Sequence, residues 1–468
     1  MAGNLLVQMR DGRELTKRQQ IQLICTLSMP AILAQISSIV MQYIDASMVG
    51  SLGAQASASI GLVSTSIWLF GGICGAVSSG FSIQAAHCIG AGDTERARSV
   101  MRQSFSAACL VSALLVVCGI LIADQLPAWL GASPELHRGA SQYFTVFVCA
   151  IPVVQINRLA GGMLQSSGNM RTPGMLNIMM CMLDVVFNGI LIFPSREIMI
   201  AGMPVTIPGF GMGVVGAALG TALAQLVTAT LMTGYLWFRS DLFRIRRGEC
   251  WRPERSCICR ALRLAMPIGL ENVMMCGAMI ATTRIVAPLG AVAIAANSFA
   301  ITAESLCYMP GYGIAEAAAT LTGQSIGAGL MDLTRRFARM SVWTGVAIMA
   351  LTGGAMYVGA PFMMALLTPE VEIQRLGIQI LRIEVFAEPL YAASIVASGA
   401  LRGTGDTMIP SMMNFFSIWC VRIPLAVILA ASTGLRGVWI AMCLELCFRG
   451  TIFLVRLYRE KWLMRHKA

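Results

Sequence analysis

Met29-Pro30, Leu52-Gly53-Ala54 and Ile89-Gly90-Ala91-Gly92 return about 237 residues later as Met266-Pro267, Leu289-Gly290-Ala291 and Ile326-Gly327-Ala328-Gly329. The same offset sets Gly162–Gly168 (GMLQSSG) against Gly399–Gly405 (GALRGTG), Pro173 against Pro410 and Asn177 against Asn414. A register kept without a gap over roughly half of each copy marks an internal duplication. The chain reads as two similar halves, and two such halves in a membrane protein are the architecture of a transporter.

Bulk composition places the chain in a membrane. Hydrophobic residues make up 56% and charged residues 12% of its 468 residues, and mean hydropathy is +0.71. A soluble surface of that size needs about twice the charge. The apolar runs have the length of helices rather than of barrel strands, so the expected class is an all-α polytopic membrane protein. Twelve runs are expected to span. In the first half they cover 21–44, 58–83, 100–123, 143–165, 174–193 and 212–238. In the second half they cover 261–285, 293–318, 340–364, 377–400, 411–431 and 436–457. Six spans per half is an even number, so both halves enter from the same side and form two six-helix lobes related by a pseudo-two-fold along the membrane normal.

Lys and Arg set the orientation. With the N-terminus in the cytoplasm, about 25 basic residues lie inside, against Arg138, Arg196, Arg284, Arg375 and Arg436 outside. The reading is therefore a cytoplasmic leader (1–20), an N-lobe (21–238), a basic connector (239–260), a C-lobe (261–457) and a cytoplasmic tail (458–468), in the cell membrane. The net charge of +11 is then an orientation signal that also suits anionic headgroups, rather than a nucleic-acid footprint. No cleavable signal peptide is apparent, because the first apolar stretch is of span length. The 15 Cys lack paired spacing and read as reduced apolar side chains. Cys250, Cys257 and Cys259 lie together in the connector without a His or a second pair to complete a metal set. No metal or cofactor is expected.

Ionisable groups inside spans cost several kcal/mol, on the order of 3 each, and are the default functional candidates. In the N-lobe these are Asp45 at the outer end of span 1, Arg158 in span 4 and Asp184 in span 5, with Asn157 and Asn188 nearby. In the C-lobe they are Glu271, Glu304, Glu316, Arg382, Glu384, Glu388, Arg422, Glu445 and Arg449. A mid-membrane carboxylate binds a proton or Na⁺ and attracts an organic cation. The competing role is half of an ion pair: Arg422 with Glu388 or Glu445, and Glu445 with Arg449 one turn on. Glu316 falls near the cytoplasmic end of its span and reads as a loop contact. Pro30 and Pro267 hold matched places in spans 1 and 7, where a missing amide bond permits a bend that can accompany gating. Gly213, Gly216 and Gly220 read as close-packing sites.

Two motifs mislead. Gly323-Gln324-Ser325-Ile326-Gly327 has the form of a hydrolase nucleophile elbow, but its repeat partner is Ala86-His87-Cys88-Ile89-Gly90, without Ser. The Ile-Gly-Ala-Gly loops follow no strand and make poor phosphate cradles.

These residues are also where the sequence resembles the multidrug and toxic compound extrusion family over nearly its whole length. The likeness runs through Met29-Pro30, Asp45, Val49-Gly50, Leu52-Gly53, the Ile89–Asp93 loop, Leu183-Asp184, Ala265-Met266-Pro267 and Gly399–Thr407. The resemblance implies a twelve-helix, two-lobed antiporter that exports small cationic amphipathic compounds in exchange for H⁺ or Na⁺. Asp45 matches the family's span-1 aspartate, Asp184 the span-5 acid of the DinF-like branch, and Asn157 a polar partner in span 4. Glu271-Asn272 is similar to a Glu-Asn pair of some branches, and Glu388 stands where another has an acid. The chain departs from the pattern at Met180, often Asn, and at Met275, where others place the span-7 acid.

The expected function is alternating-access antiport by a monomer, with Asp45, Asp184, Asn157, Asn188, Glu271 and Glu388 as coupling residues. Drug and ion would compete for overlapping carboxylates. The alternative is a flippase of lipid-linked saccharides, which would favour a strongly basic cleft. A channel or a membrane enzyme ranks below both, since no nucleophile–base pair or metal set is present.

Overall fold

The computed structural model describes residues 2–10, 15–200, 203–245, 251 and 253–464. It is helical almost throughout, and eleven of its helices are long and apolar enough to cross a membrane. In chain order they are Lys17–Gly50 (span 1), Ala54–Gly90 (2), Thr94–Ala123 (3), Pro134–Ser166 (4), Arg171–Leu191 (5) and Gly213–Gly234 (6). The second half continues with Arg255–Val286 (7), Ala291–Gly327 (8), Met331–Leu367 (9), the region Met408–Thr433 (11) and Leu435–Arg459 (12).

Where a tenth continuous span was expected over 377–400, the structure has two helices, Val371–Glu384 and Glu388–Gly403, broken at 385–387. Glu388 opens the second of them and is followed by Pro389, which suits a first helical turn and cannot continue a helix behind it. Span 11 carries a π-helical turn at Ser417–Arg422. Pro30 and Pro267, by contrast, sit inside unbroken helices. The loop between spans 5 and 6 is an antiparallel hairpin, β1 (Pro194–Ile200) and β2 (Met203–Phe210), running from Pro194 opposite Phe210 to Ile200 opposite Met203. The leader holds a short helix, Ala2–Arg10, and span 1 begins at Lys17. Cys250, Arg13, Arg246, Arg247, Arg252, Arg465, His466 and Lys467 lie outside the described residues.

The duplicated glycines are structural punctuation. Gly53 and Gly290 have φ of +110° and +95°, Gly92 and Gly329 +76° and +74°, and Gly168 and Gly405 +89° and +90°. Each pair makes the same left-handed turn at the same helix end, which a Cβ would strain. Capping follows the sequence as well. Thr16 and Gln19 form a capping box at span 1, and Asp93 accepts from Arg96 N (2.9 Å) at span 3.

Spans 2, 3, 4, 5 and 6 pack within the first half, and spans 8, 9, 12 and the second part of span 10 within the second. The halves meet where span 8 lies against spans 1 and 2, and span 7 against span 2. Leu110 and Leu121 on span 3, and Val358 and Phe362 on span 9, are more than 70% exposed, as lipid-facing side chains should be.

Candidate functional site

Span 5 brings Asp184 and Asn188 onto one face, one helical turn apart. The Asn188 amide donates to Asp184 Oδ2 (3.0 Å) and to Asp45 Oδ1 of span 1 (2.9 Å), so a single amide bridges two carboxyls. Asp184 and Asn188 are buried, and Asp45 is half-buried. No basic side chain pairs with either acid among the described residues, and Asp184 Oδ1 has no hydrogen-bond partner. Two carboxyls bridged by one amide, one of them fully buried and neither with a counter-ion among the described residues, favour a small cation between them. Gly220 on span 6 backs the cluster: a Cβ there would stand 2.1 Å from Asn188 Oδ1.

The other sequence candidates lie elsewhere. Asn157 donates to Gln225 Oε1 (2.7 Å) and lies near Met180 Sδ (3.9 Å), so it does not join the aspartates. Glu271 is held by Arg402 (2.6 and 2.7 Å), Ser411 Oγ (2.5 Å) and Asn414 Nδ2 (2.8 Å). That is a saturated ion pair. Arg402→Ala should therefore lower stability by about 3 kcal/mol, because it strands a carboxylate whose side chain is only 14% exposed. Glu271→Gln, which leaves Arg402 facing the cavity, should cost about 1 kcal/mol. Thermal unfolding in detergent distinguishes them, and equal melting of Arg402→Ala and wild type would refute the pairing.

A second carboxylate group sits deep in the C-terminal half. Glu445 is paired with Arg422 (2.7 Å) and Arg449 (3.0 Å) and accepts from Ser417 of the π-helical turn (2.5 Å). Beside it Glu304, Glu384 and Glu388 are buried within electrostatic reach of one another. Both oxygens of Glu384 and one of Glu388 lack a hydrogen-bond partner among the described residues. Four acids thus face two guanidiniums.

Between the halves lies a cavity of about 510 Å³, the size of a drug-binding pocket. Asn157, Arg158, Glu271, Glu316, Arg402 and Arg449 contribute to its lining, whereas Asp45 and Asp184 do not. Of the coupling carboxylates expected to overlap with drug, Glu271 thus lines the cavity and the two aspartates lie outside its lining. Glu316 is not a loop contact. Its helix runs on to Gly327, and its carboxylate accepts from Gln35 Nε2 (3.0 Å) and Gln165 Nε2 (3.1 Å) of the other half.

On the side that carries both chain ends the cavity is sealed by a contact that repeats itself. His87 Nε2 donates to Gly403 O (2.8 Å), and Gln324 Nε2 to Ser166 O (2.7 Å), the duplicated equivalents of each other. The Ala2–Arg10 helix braces this seal. Leu5, Leu6 and Met9 are buried among Leu23, Ile24 and Met170 of one half and Leu321 and Phe337 of the other. Arg10 reaches Ser167 O (3.3 Å) and Gln324 Oε1 (3.1 Å). Ser325, the false elbow, is a helix-end hydroxyl that donates to Thr322 O (3.2 Å) and accepts from Thr334 (2.8 Å).

Comparison with known proteins agrees with this architecture. The chain is 27% identical to a probable multidrug resistance protein NorM of Thermotoga maritima, covering 93% of this chain and 92% of that one. It is 26% identical to a NorM of Xanthomonas axonopodis pv. citri, with 90% of each covered. Its fold matches an outward-facing structure of a multidrug resistance MATE family transporter of the MOP superfamily, with a TM-score of 0.88 at 21% identity over 97% of this chain and 100% of that one. The MatE family model matches twice, over residues 30–190 and 267–428, once on each copy of the duplication. The chain belongs to the MatE family of membrane transporters, not to the enzymes.

Proposed function

We propose that this multi-pass transporter is a multidrug exporter working by alternating access, and that it exchanges amphipathic drug-like compounds, organic cations among them, for H⁺ or Na⁺. The observation that carries the reading is the Asp45–Asn188–Asp184 cluster, one buried and one half-buried acid that share one amide and pair with no base among the described residues. Its place behind the cavity wall makes the coupling indirect. Met180, one turn before Asp184, lines the cavity, so a cation arriving at Asp184 acts on the drug through span 5. This span-5 acid is what favours the DinF-like branch. Glu388, with Glu304 and Glu384, is the second candidate for the coupling cation. Glu271 in this reading organises spans 7, 10 and 11, Asn157 shapes the cavity, and Pro30 and Pro267 are the places where spans 1 and 7 bend. The protein works as a monomer in the cytoplasmic membrane with both termini inside, so the seal at His87 and Gln324 closes the cytoplasmic side.

Reconstituted into proteoliposomes, the protein should export a fluorescent organic cation under an imposed pH gradient or an imposed Na⁺ gradient, and the active gradient names the ion. No movement of any amphipathic dye under either gradient would overturn antiport.

A further inference from the structure

One of the guanidiniums in the cavity between the halves forms no ion pair or hydrogen bond among the described residues. Of the three arginines lining it, Arg402 is held by Glu271 and Arg449 by Glu445. Arg158 makes no hydrogen bond or ion pair among the described residues, and its side chain is exposed to the cavity. It is not a loose surface arginine. Its guanidinium lies over Gly71 and Gly75 of span 2, where a Cβ would stand 3.9 and 3.4 Å from its Nη atoms. Glu316 lies within electrostatic reach of it but forms no ion pair with it, and its carboxylate already accepts from two amides.

An exposed guanidinium lining the cavity is within reach of a ligand, and an oxyanion held in bidentate geometry is the partner that suits its planar donors best. Ser79 and Asn177 also line the cavity and make no side-chain hydrogen bond among the described residues, so further donors are available to the same ligand. Apolar walls from Ile268 and Ile395 would take a hydrophobic body. We propose that the cavity recognises an organic oxyanion carried on an apolar body, with Arg158 as the group that seats it. An amine elsewhere on such a molecule can face Glu316, so amphipathic cations that also carry a carboxylate fall within the class. A purely cationic amphiphile meets like charge at Arg158. The inference rests on the reading of this cavity as the transport site and names what it selects.

The test is equilibrium binding to the purified full-length protein, with no gradient, of a carboxyrhodamine dye and of its methyl ester, read by fluorescence polarisation. Wild type should bind the free carboxylate about tenfold tighter than the ester, the scale of one charge-assisted pair. Arg158→Gln should erase that ratio while keeping the ester affinity, which shows an intact cavity, and Arg158→Lys should keep part of it. A wild-type ratio at or below one overturns the proposal without any variant, as does an unchanged ratio in Arg158→Gln. Competition by farnesyl phosphate against farnesol separates the sources of the oxyanion. Displacement by the phosphate alone supports the same site and points to a lipid-borne group, and displacement by neither, with the carboxylate ratio intact, supports a free organic acid. Because no flux is measured, loss of the anion preference leaves the antiport reading standing, and absent transport leaves this binding result standing.

Discussion

Replacing Asp45 or Asp184 singly by Asn should cut gradient-driven export by about a hundredfold and leave the fold intact. The amide keeps the shape of the carboxyl and an oxygen to accept from Asn188, so the contacts at 2.9 and 3.0 Å survive. What disappears is the charge that holds a cation. A coupling energy of 1–3 kcal/mol between two sites corresponds to roughly 5–150-fold in affinity, and a site that cannot bind its ion forfeits all of it. Stability should not fall, because Asp184 is fully buried with one oxygen unpartnered, and a neutral side chain is less costly there. Efflux from proteoliposomes and thermal unfolding of the same preparations give the two readings. Retained export by both single variants would remove the aspartates from the mechanism. Gly220→Ala offers an independent lever on the same cluster. The added Cβ would collide with Asn188 Oδ1 and displace the bridging amide, so export should fall with both acids still present.

Much of this was legible in the sequence because it depends on local rules. The duplication and the helical class follow from offset and hydropathy, and the family resemblance singled out Asp45 and Asp184 without placing them together. Asn188 was legible as well, since it stands one turn from Asp184. What escaped was set by tertiary packing. Glu316 read as a loop contact because its apolar run ends near 318, while the helix continues on small residues, Ala317 to Gly323, that a hydropathy window scores weakly. Glu271 read as a coupling acid because Arg402, Ser411 and Asn414 are more than 130 residues away in sequence. The division of span 10 had a signal, the Glu388-Pro389 pair inside an apolar run, but hydropathy alone joins across it. Nothing local marks Arg158 as the arginine left without a partner. That property belongs to what surrounds it.

The largest conformational effect should come from two glycines. A Cβ at Gly90 would stand 2.0 Å from Gln324 O, and one at Gly327 would stand 2.2 Å from His87 O. These are duplicated equivalents meeting across the pseudo-two-fold, and in each case the obstacle is backbone, which no rotamer change can clear. Gly90→Ala or Gly327→Ala therefore forces spans 2 and 8 apart at this end. When they part, the His87–Gly403 and Gln324–Ser166 bonds and the Arg10 bridge are lost together. Each is worth about 0.5–1.5 kcal/mol, and the steric cost adds to them. Inverting a two-state equilibrium from 99:1 to 1:99 takes about 5.5 kcal/mol, which the sum of these losses can approach. Hydrogen exchange should show it as faster labelling, by about tenfold or more, confined to residues 84–92, 163–170, 321–330 and 399–406. The lipid-facing spans 3 and 9 should exchange as in wild type. Unchanged protection in all four segments in both variants would mean that the seal is not what holds the two halves together on this side.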